Sequence, residues 1–193
     1  MRSRAEIERP PQGPPQPRPG VRLVPIGYRQ APSWTGELAR RIGHVLGGAV
    51  GIETARLSLE SALDVHRGQY NALTLLEGLI ALPGSERLLG IVAGDLFIPM
   101  LTHVFGQAQL NGRGAILSTY RLDNAVYGLA PDDTLFAARL AKEAIHELGH
   151  AFGLVHCHDP DCVMHSSMYV EEIDLKREDL CSDCRQRLSG AAV

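Results

Sequence analysis

The stretch HELGHAFGLVH, at residues 146–156, decides how this chain of 193 residues is interpreted. Successive residues of an α-helix are rotated by about 100°, which puts His146 and His150 one turn apart, about 40° from each other on the helix surface. Both imidazoles can therefore reach one Zn²⁺ ion. Glu147 lies beside that ion, in the position of a general base for a water molecule.

The second half of the stretch supplies a third ligand. Gly153 permits a left-handed backbone and ends the helix, so the chain can turn back and bring His156 to the same ion. Three neutral histidines leave a fourth position open for water, which is typical of a catalytic zinc site rather than a structural one. The sequence therefore predicts His146, His150 and His156 as zinc ligands and Glu147 as the catalytic residue.

A long helix is predicted to carry most of this stretch, with Asp133 or Thr134 as its N-cap and its end near Phe152. Its apolar stripe lies mostly on another face, so burial alone does not explain the histidines. In the rest of the chain, apolar periodicity and turn residues mark further segments. These are strands at 21–27, 55–60 and 88–93, helices at 33–46 and 70–82, a hairpin of strands 104–110 and 113–120 around Asn111-Gly112, and a polar helix at 174–188.

The order of these segments predicts a mixed α/β fold. Strands that alternate with helices imply right-handed crossovers and a largely parallel sheet. The Asn-Gly hairpin adds an antiparallel pair. We therefore expect one compact domain with a mixed sheet of about five strands and a long active-site helix.

Composition agrees with a single folded domain. Hydrophobic residues make up 45% of the chain and charged residues 21%, which excludes a wholly disordered or fibrous protein. Residues 1–20 hold six of the twelve prolines and are predicted to form a disordered tail. The domain is expected to span 21–193, with a C-terminal region, about 154–188, built around the metal sites.

Charge and hydropathy exclude several partners. The formal net charge of −3 does not favour nucleic-acid binding. No apolar run approaches the roughly 18 residues of a membrane span, and the first 20 residues lack the apolar stretch of a signal peptide. We therefore expect no nucleic-acid or membrane partner, a cytoplasmic location and a monomer.

Four cysteines, at 157, 162, 181 and 184, fall within the last 37 residues. Disulfides do not persist in a reducing compartment, so clustered cysteines indicate metal ligands. Cys157, Cys162, Cys181 and Cys184 together offer four thiolates, which form a closed structural zinc site. Because Cys157 directly follows His156, such a site would also hold the third histidine in place.

The stretch at 146–156 has the signature of the metzincins, which carry a methionine turn beneath the metal. Met164 is the candidate for this methionine and Met168 is the second choice. The longer pattern resembles the archaemetzincins in particular: it continues through Cys162 and Met164 to a later C-x-x-C pair, and 16 residues lie between the methionine and that pair where we expect 17. Upstream, VRLVPIG, RGQYNA, GDLFIPMLTHVFGQA and LSTYRL are also similar to that family.

The resemblance implies a metzincin-type α/β domain and a zinc-dependent peptidase with two Zn²⁺ ions per chain. One ion would be catalytic, on the three histidines, and the other structural, on the four cysteines. The resemblance also implies a peptide or protein substrate. In metzincins an edge strand above the cleft pairs with the extended substrate, and we assign 115–121 to that strand by topology.

Two alternatives remain open. In a gluzincin a downstream glutamate replaces the third histidine, and Glu171 lies at about the right distance beyond His150. The second alternative is a binding module, in which both zinc ions only organise a peptide-recognition surface. Glu147 argues against the second alternative, because no structural zinc site needs a carboxylate there.

Overall fold

A computed structural model describes residues 20–53 and 57–190 of the chain. The predicted tail therefore lies outside the described residues apart from Gly20, and it stays a prediction. The described part contains nine strands, namely β1 (Val21–Ile26), β2 (Val50–Ile52), β3 (Leu63–Asp64), β4 (Gln69–Asn71), β5 (Arg87–Val92), β6 (Leu96–Ile98), β7 (Leu101–Val104), β8 (Gly106–Ala108) and β9 (Gly114–Ser118). Its α-helices are α1 (Thr35–Leu46), α2 (Ala72–Ile80), α3 (Asp133–Ala151), α4 (Val170–Leu175) and α5 (Ser182–Gly190).

The main sheet confirms the predicted mixed α/β fold. Its five strands follow the order β2-β1-β5-β9-β8. The first four run parallel, and β8 pairs antiparallel with β9. Asn111 has a φ of 49° in the turn between these last two strands, as the Asn-Gly signal predicted.

Successive residues of the main sheet point to two different cores, because side chains alternate across a strand. In β1, Leu23 packs with α1 and α3, whereas Val24 packs with α2 on the other face. In β9, Leu117 and Ile116 divide in the same way. The sheet thus lies between α2 and the layer that contains the long helix α3.

A second, four-stranded sheet was not predicted. Its order is β3-β4-β6-β7, and its strands have two to four residues. Strands this short do not produce a readable alternation in sequence. The predicted helix at 70–82 consequently begins only at Ala72, because Gln69–Asn71 pairs as β4, and the Asn71 side chain then caps α2.

The predicted strand at 55–60 is wrong where it can be tested. Residues 54–56 lie outside the described part, and 57–59 form no strand. Leu57 and Leu59 instead pack against the core beside α2. The strand in this part of the sheet is β2, which precedes the predicted segment and pairs with β1.

Helix α3 ends within one residue of the prediction, and its N-cap is one residue before the predicted Asp133. Asp132 caps it by accepting a hydrogen bond from the Leu135 amide, and it ends at Ala151. The predicted helix at 174–188 is wrong, because two shorter helices, α4 and α5, occur with residues 176–181 between them. Within 20–53 and 57–190, no helix is both long and apolar enough to cross a membrane.

Candidate metal centre and active-site cleft

Three histidines converge at the C-terminal end of α3. The Nε2 atoms of His146 and His150 lie 3.1 Å apart. Two nitrogens on one tetrahedral zinc, each at about 2.0–2.1 Å from the ion, would be about 3.3 Å apart. His156 joins them after a turn at Gly153, whose φ is 93°, and one ligand atom from each ring lies within 4.8 Å of the others.

Hydrogen bonds orient the two helical histidines toward a common point. The Nδ1 atom of His146 lies 2.8 Å from the Val163 carbonyl oxygen, and that of His150 lies 2.8 Å from the Leu154 carbonyl oxygen. Because a carbonyl only accepts, each Nδ1 carries the proton and each Nε2 keeps its lone pair.

All three imidazoles are held in the neutral form that binds metals. Burial lowers the pKa of His146 well below its usual value, and the positive charge of Lys176 acts in the same direction. Burial also lowers the pKa of His150 and that of His156. The donor set therefore fits a divalent zinc ion.

Glu147 lies beside the histidines and is 6% exposed. Burial raises the pKa of its carboxyl group well above the usual range, and the neighbouring carboxylate of Glu143 adds to the shift. Among the described residues, no hydrogen-bond donor contacts the Glu147 carboxylate. Its side chain packs against Gly106 of β8, where a β-carbon would lie 2.5 Å from the Glu147 Cγ atom.

Met164 and Met168 occupy different environments. Met164 is fully buried, and a β-carbon on Gly149 would overlap its Sδ atom. Gly149 lies between His146 and His150 on α3, so the thioether packs directly against the helix segment that carries the ligands. Met168, the second choice, is 70% exposed and does not pack there.

The histidines open into a cleft of about 460 Å³. Its polar lining includes Glu143, Glu147, Ser166 and Ser167. Its apolar lining, called the apolar wall below, comes from β6 to β8 and the residues next to them. Its large side chains are those of Ile98, Leu101, Val104, Phe105 and Leu110.

The strand assigned to substrate pairing is wrong. Strand β9 pairs on both sides, with β5 and with β8, so 115–118 has no free edge, and 120–122 forms a 3₁₀ helix. Strand β8 is the edge of the main sheet, and its residues Gly106–Ala108 line the cleft. Topology alone did not distinguish the two strands, because both belong to the same hairpin.

The four cysteines form a second cluster, with each Sγ within 4.8 Å of the others. The Sγ atoms of Cys157 and Cys181 lie 3.7 Å apart. A tetrahedral zinc with bonds of about 2.3 Å separates two sulfurs by about 3.8 Å, whereas a disulfide bond measures about 2.05 Å. The arrangement therefore fits a metal and not a disulfide. His158 and His165 belong to neither ligand group.

Sequence reasoning missed three residues of this region. Glu143 precedes Glu147 by four residues, so helical spacing could have revealed that both face the cleft. Lys176 and Gly106 carry no such signal, because each meets the site only through tertiary packing. Glu171, the alternative third ligand, is exposed and lies outside both ligand groups.

A family model for peptidase family M54 matches residues 53–190, which is more than half of the chain. The archaemetzincin of Haloquadratum walsbyi is 38% identical over 176 residues, covering 87% of this chain and 98% of the relative. The chain belongs to the archaemetzincin family. The histidine and cysteine clusters thus lie in a member of a zinc metallopeptidase family, whose substrates are peptides or proteins.

Solved archaemetzincin structures share this fold. The crystal structure of the Methanopyrus kandleri archaemetzincin has a TM-score of 0.80 at 37% sequence identity and covers 90% of this chain and 95% of that one. A zinc-dependent peptidase from Methanocorpusculum labreanum has a TM-score of 0.79 at 30% identity and covers 87% of this chain and 99% of that one. The resemblance to the archaemetzincin family and the metzincin-like fold are therefore confirmed.

Proposed function

We propose that this archaemetzincin hydrolyses peptide bonds at a zinc ion held by His146, His150 and His156, with Glu147 as the general base. One observation carries the proposal: ring nitrogens of three histidines, two of them oriented by hydrogen bonds, converge beside a buried carboxylate that has no hydrogen-bond partner in the described part of the chain. A structural site would have no use for such a carboxylate.

The histidines would hold the ion and leave room for a water molecule and the substrate. When bound, Zn²⁺ supplies Lewis acidity, which makes water more acidic and polarises a carbonyl group. Met164 packs beneath the ligand-bearing helix segment and would support the histidines without competing for the metal.

Glu147 would move the proton. Its carboxylate accepts a proton from the attacking water, holds it in the buried site, and passes it to the amine that leaves. Two features suit this role: Gly106 leaves no side chain between the carboxylate and β8, and no described donor engages the carboxylate oxygens.

Strand β8 would bind the substrate. Among described strands it pairs only with β9, so its other edge can add an extended peptide through backbone hydrogen bonds. The apolar wall beside it would accept substrate side chains. Backbone pairing of this kind gives affinity with little dependence on the sequence of the substrate.

The four cysteines would hold a second, structural zinc. Cys157 and Cys162 lie in the turn after α3, and Cys181 and Cys184 lie at the start of α5. The second ion would therefore tie the C-terminal region to the segment that carries His156. Burial raises the pKa of the Cys162 and Cys184 thiols, so loading this site is expected to release protons.

The test is hydrolysis of a mixed peptide library, read by mass spectrometry, with zinc content measured on the same samples. Glu147→Gln is expected to keep its zinc and lose about 10²–10⁴-fold in turnover. Glu77→Gln, at an exposed position of α2, is the matched control and should cleave like the wild-type protein. Cleavage by Glu147→Gln at the wild-type rate would contradict the mechanism.

The same experiment addresses a binding module. If the zinc-loaded wild-type protein bound library peptides and cleaved none of them, the apolar wall and the edge of β8 would serve recognition alone. Loss of cleavage after removal of zinc by a chelator, and its return with added zinc, would support the peptidase.

A further inference from the structure

A buried ion pair lies next to the metal centre and has no part in the proposed mechanism. Lys176 is 3% exposed and Glu143 is 4% exposed. The Lys176 Nζ atom lies 3.4 Å from Glu143 Oε1 and donates to the His165 carbonyl oxygen at 3.0 Å. Glu143 belongs to α3 and lines the same cleft as the histidines.

Stability does not explain this pair. Removing two charges from water costs several kcal/mol per ion, and apolar packing of similar volume is often equally stable. Glu143 also lies one turn before Glu147, and two carboxylates at this spacing repel each other. The burial of Glu143 therefore needs another reason.

The spacing of Glu143 and His146 supplies that reason. In helical bundles with metal sites, a glutamate and a histidine three positions later on the same helix bind the same ion. Glu143-Ala144-Ile145-His146 has this spacing, and both side chains face the cleft. Yet the ligand group contains the three histidines without Glu143, whose carboxylate contacts Lys176 instead.

Lys176 is suited to hold the Glu143 carboxylate away from the three histidines. It follows α4 directly, and its bond to the His165 carbonyl anchors it to the turn that contains Met164. The other lysine of this interface, Lys142, donates to the carbonyls of Ile173 and Asp174. Lys176 is therefore the lysine whose ammonium group engages the Glu143 carboxylate.

We propose that Lys176 is a positioning residue that keeps Glu143 out of the coordination sphere of the metal. A fourth protein ligand would occupy the place that water and substrate need. The inference rests on the proposed function, since only a catalytic zinc requires an open position.

The experiment compares Lys176→Met, Glu143→Gln and the double variant with the wild-type protein. The first measurement is the chelator concentration that removes zinc from the histidine site, identified as the step that His156→Ala abolishes. Lys176→Met is expected to hold this zinc about 10-fold more tightly or better, because the freed carboxylate joins the ligands. Glu143→Gln and the double variant should release it like the wild-type protein.

Turnover and structure complete the test. Lys176→Met should lose about 10–100-fold in kcat with little change in KM, and Glu143→Gln added to it should restore kcat. A crystal structure of zinc-loaded Lys176→Met should show a Glu143 oxygen about 2.0–2.2 Å from the ion. Lys142→Met, which alters the same interface, should change none of these quantities.

Several outcomes would overturn the inference. Unchanged or weaker zinc binding in Lys176→Met would overturn it. Tighter zinc binding with wild-type kcat would also overturn it, because the change would then reflect the lost positive charge alone. Easier zinc release from Glu143→Gln would show that Glu143 is already a ligand.

Should Lys176→Met not fold, Lys176→Gln keeps a donor for the His165 carbonyl and must give the same results. A wild-type protein without peptidase activity would contradict the proposed function, whereas zinc release and the crystal structure would still decide the role of Lys176.

Discussion

Gly106 of β8 and Glu147 of α3 are in contact only because residue 106 has no side chain. A β-carbon there would lie 2.5 Å from Glu147 Cγ and 2.6 Å from both Cδ and Oε1. Real carbon atoms do not approach so closely, so any larger residue must displace the glutamate or the strand. The edge of the sheet and the proposed general base are thus matched to each other.

Gly106→Ala is therefore expected to reduce peptide hydrolysis at least 10-fold while zinc stays bound, because displacement of Glu147 leaves the histidines in place. Overpacking should also lower the free energy of unfolding by about 1–3 kcal/mol. Gly36→Ala is the control, because a β-carbon at Gly36 in α1 meets nothing within 4 Å. Equal activity in the two variants would show that this contact does not position Glu147.

The identity of the third ligand can be tested with two alanine variants. His156→Ala is expected to lose one zinc ion per chain, since two histidines alone hold the metal weakly. Glu171→Ala should retain the wild-type zinc content, because Glu171 is exposed and lies outside the histidine group. Elemental analysis of both proteins gives the answer, and the opposite pattern would favour a gluzincin-type site.

The cysteine cluster is expected to stabilise the C-terminal region through its metal. Cys184→Ser should remove one zinc ion and lower the midpoint of thermal unfolding, because metal binding there contributes to folding. It should also weaken zinc binding at the histidines, since Cys157 adjoins His156 in the chain. Ser189→Ala, on the exposed face of α5, should leave both zinc content and midpoint unchanged. A Cys184→Ser protein with full zinc content would contradict a four-cysteine site.

An ion pair between α3 and α4 leads to a prediction about stability. The Nε and Nη2 atoms of Arg139 each lie 2.7 Å from one carboxylate oxygen of Asp174, and the Arg139 side chain is 5% exposed. Arg139→Met leaves Asp174 and the Leu122 carbonyl without their partner, and should cost about 3 kcal/mol of unfolding free energy. Denaturant titration measures this cost. Arg40→Met, which removes an exposed ion pair with Glu37, should leave the midpoint unchanged.

Much of the candidate metal centre was predictable because it depends on local geometry. The one-turn spacing of His146 and His150 follows from the pitch of a helix, and the structure places their Nε2 atoms 3.1 Å apart. Gly153 adopts the expected left-handed backbone, and His156 returns to the other two rings. The four cysteines also meet, as their number and spacing suggested.

The errors occurred where pairing between distant segments decides the structure. The second sheet consists of strands too short to show alternation, and β8 rather than β9 forms the free edge. The polar helix expected at 174–188 is interrupted, and the interruption contains Lys176 and Cys181. Both residues contact partners in other parts of the chain. The helical pattern within 174–188 carries no information about such contacts.

The sequence by itself determined which atoms can bind metal, since ligand chemistry and helical pitch act within a few residues of each other. Only the tertiary structure decided what surrounds those atoms: Gly106 against Glu147, Lys176 on Glu143, and an open strand edge above the cleft. These relationships join residues 33 or more positions apart, and their distances depend on how the sheet and the helices pack together.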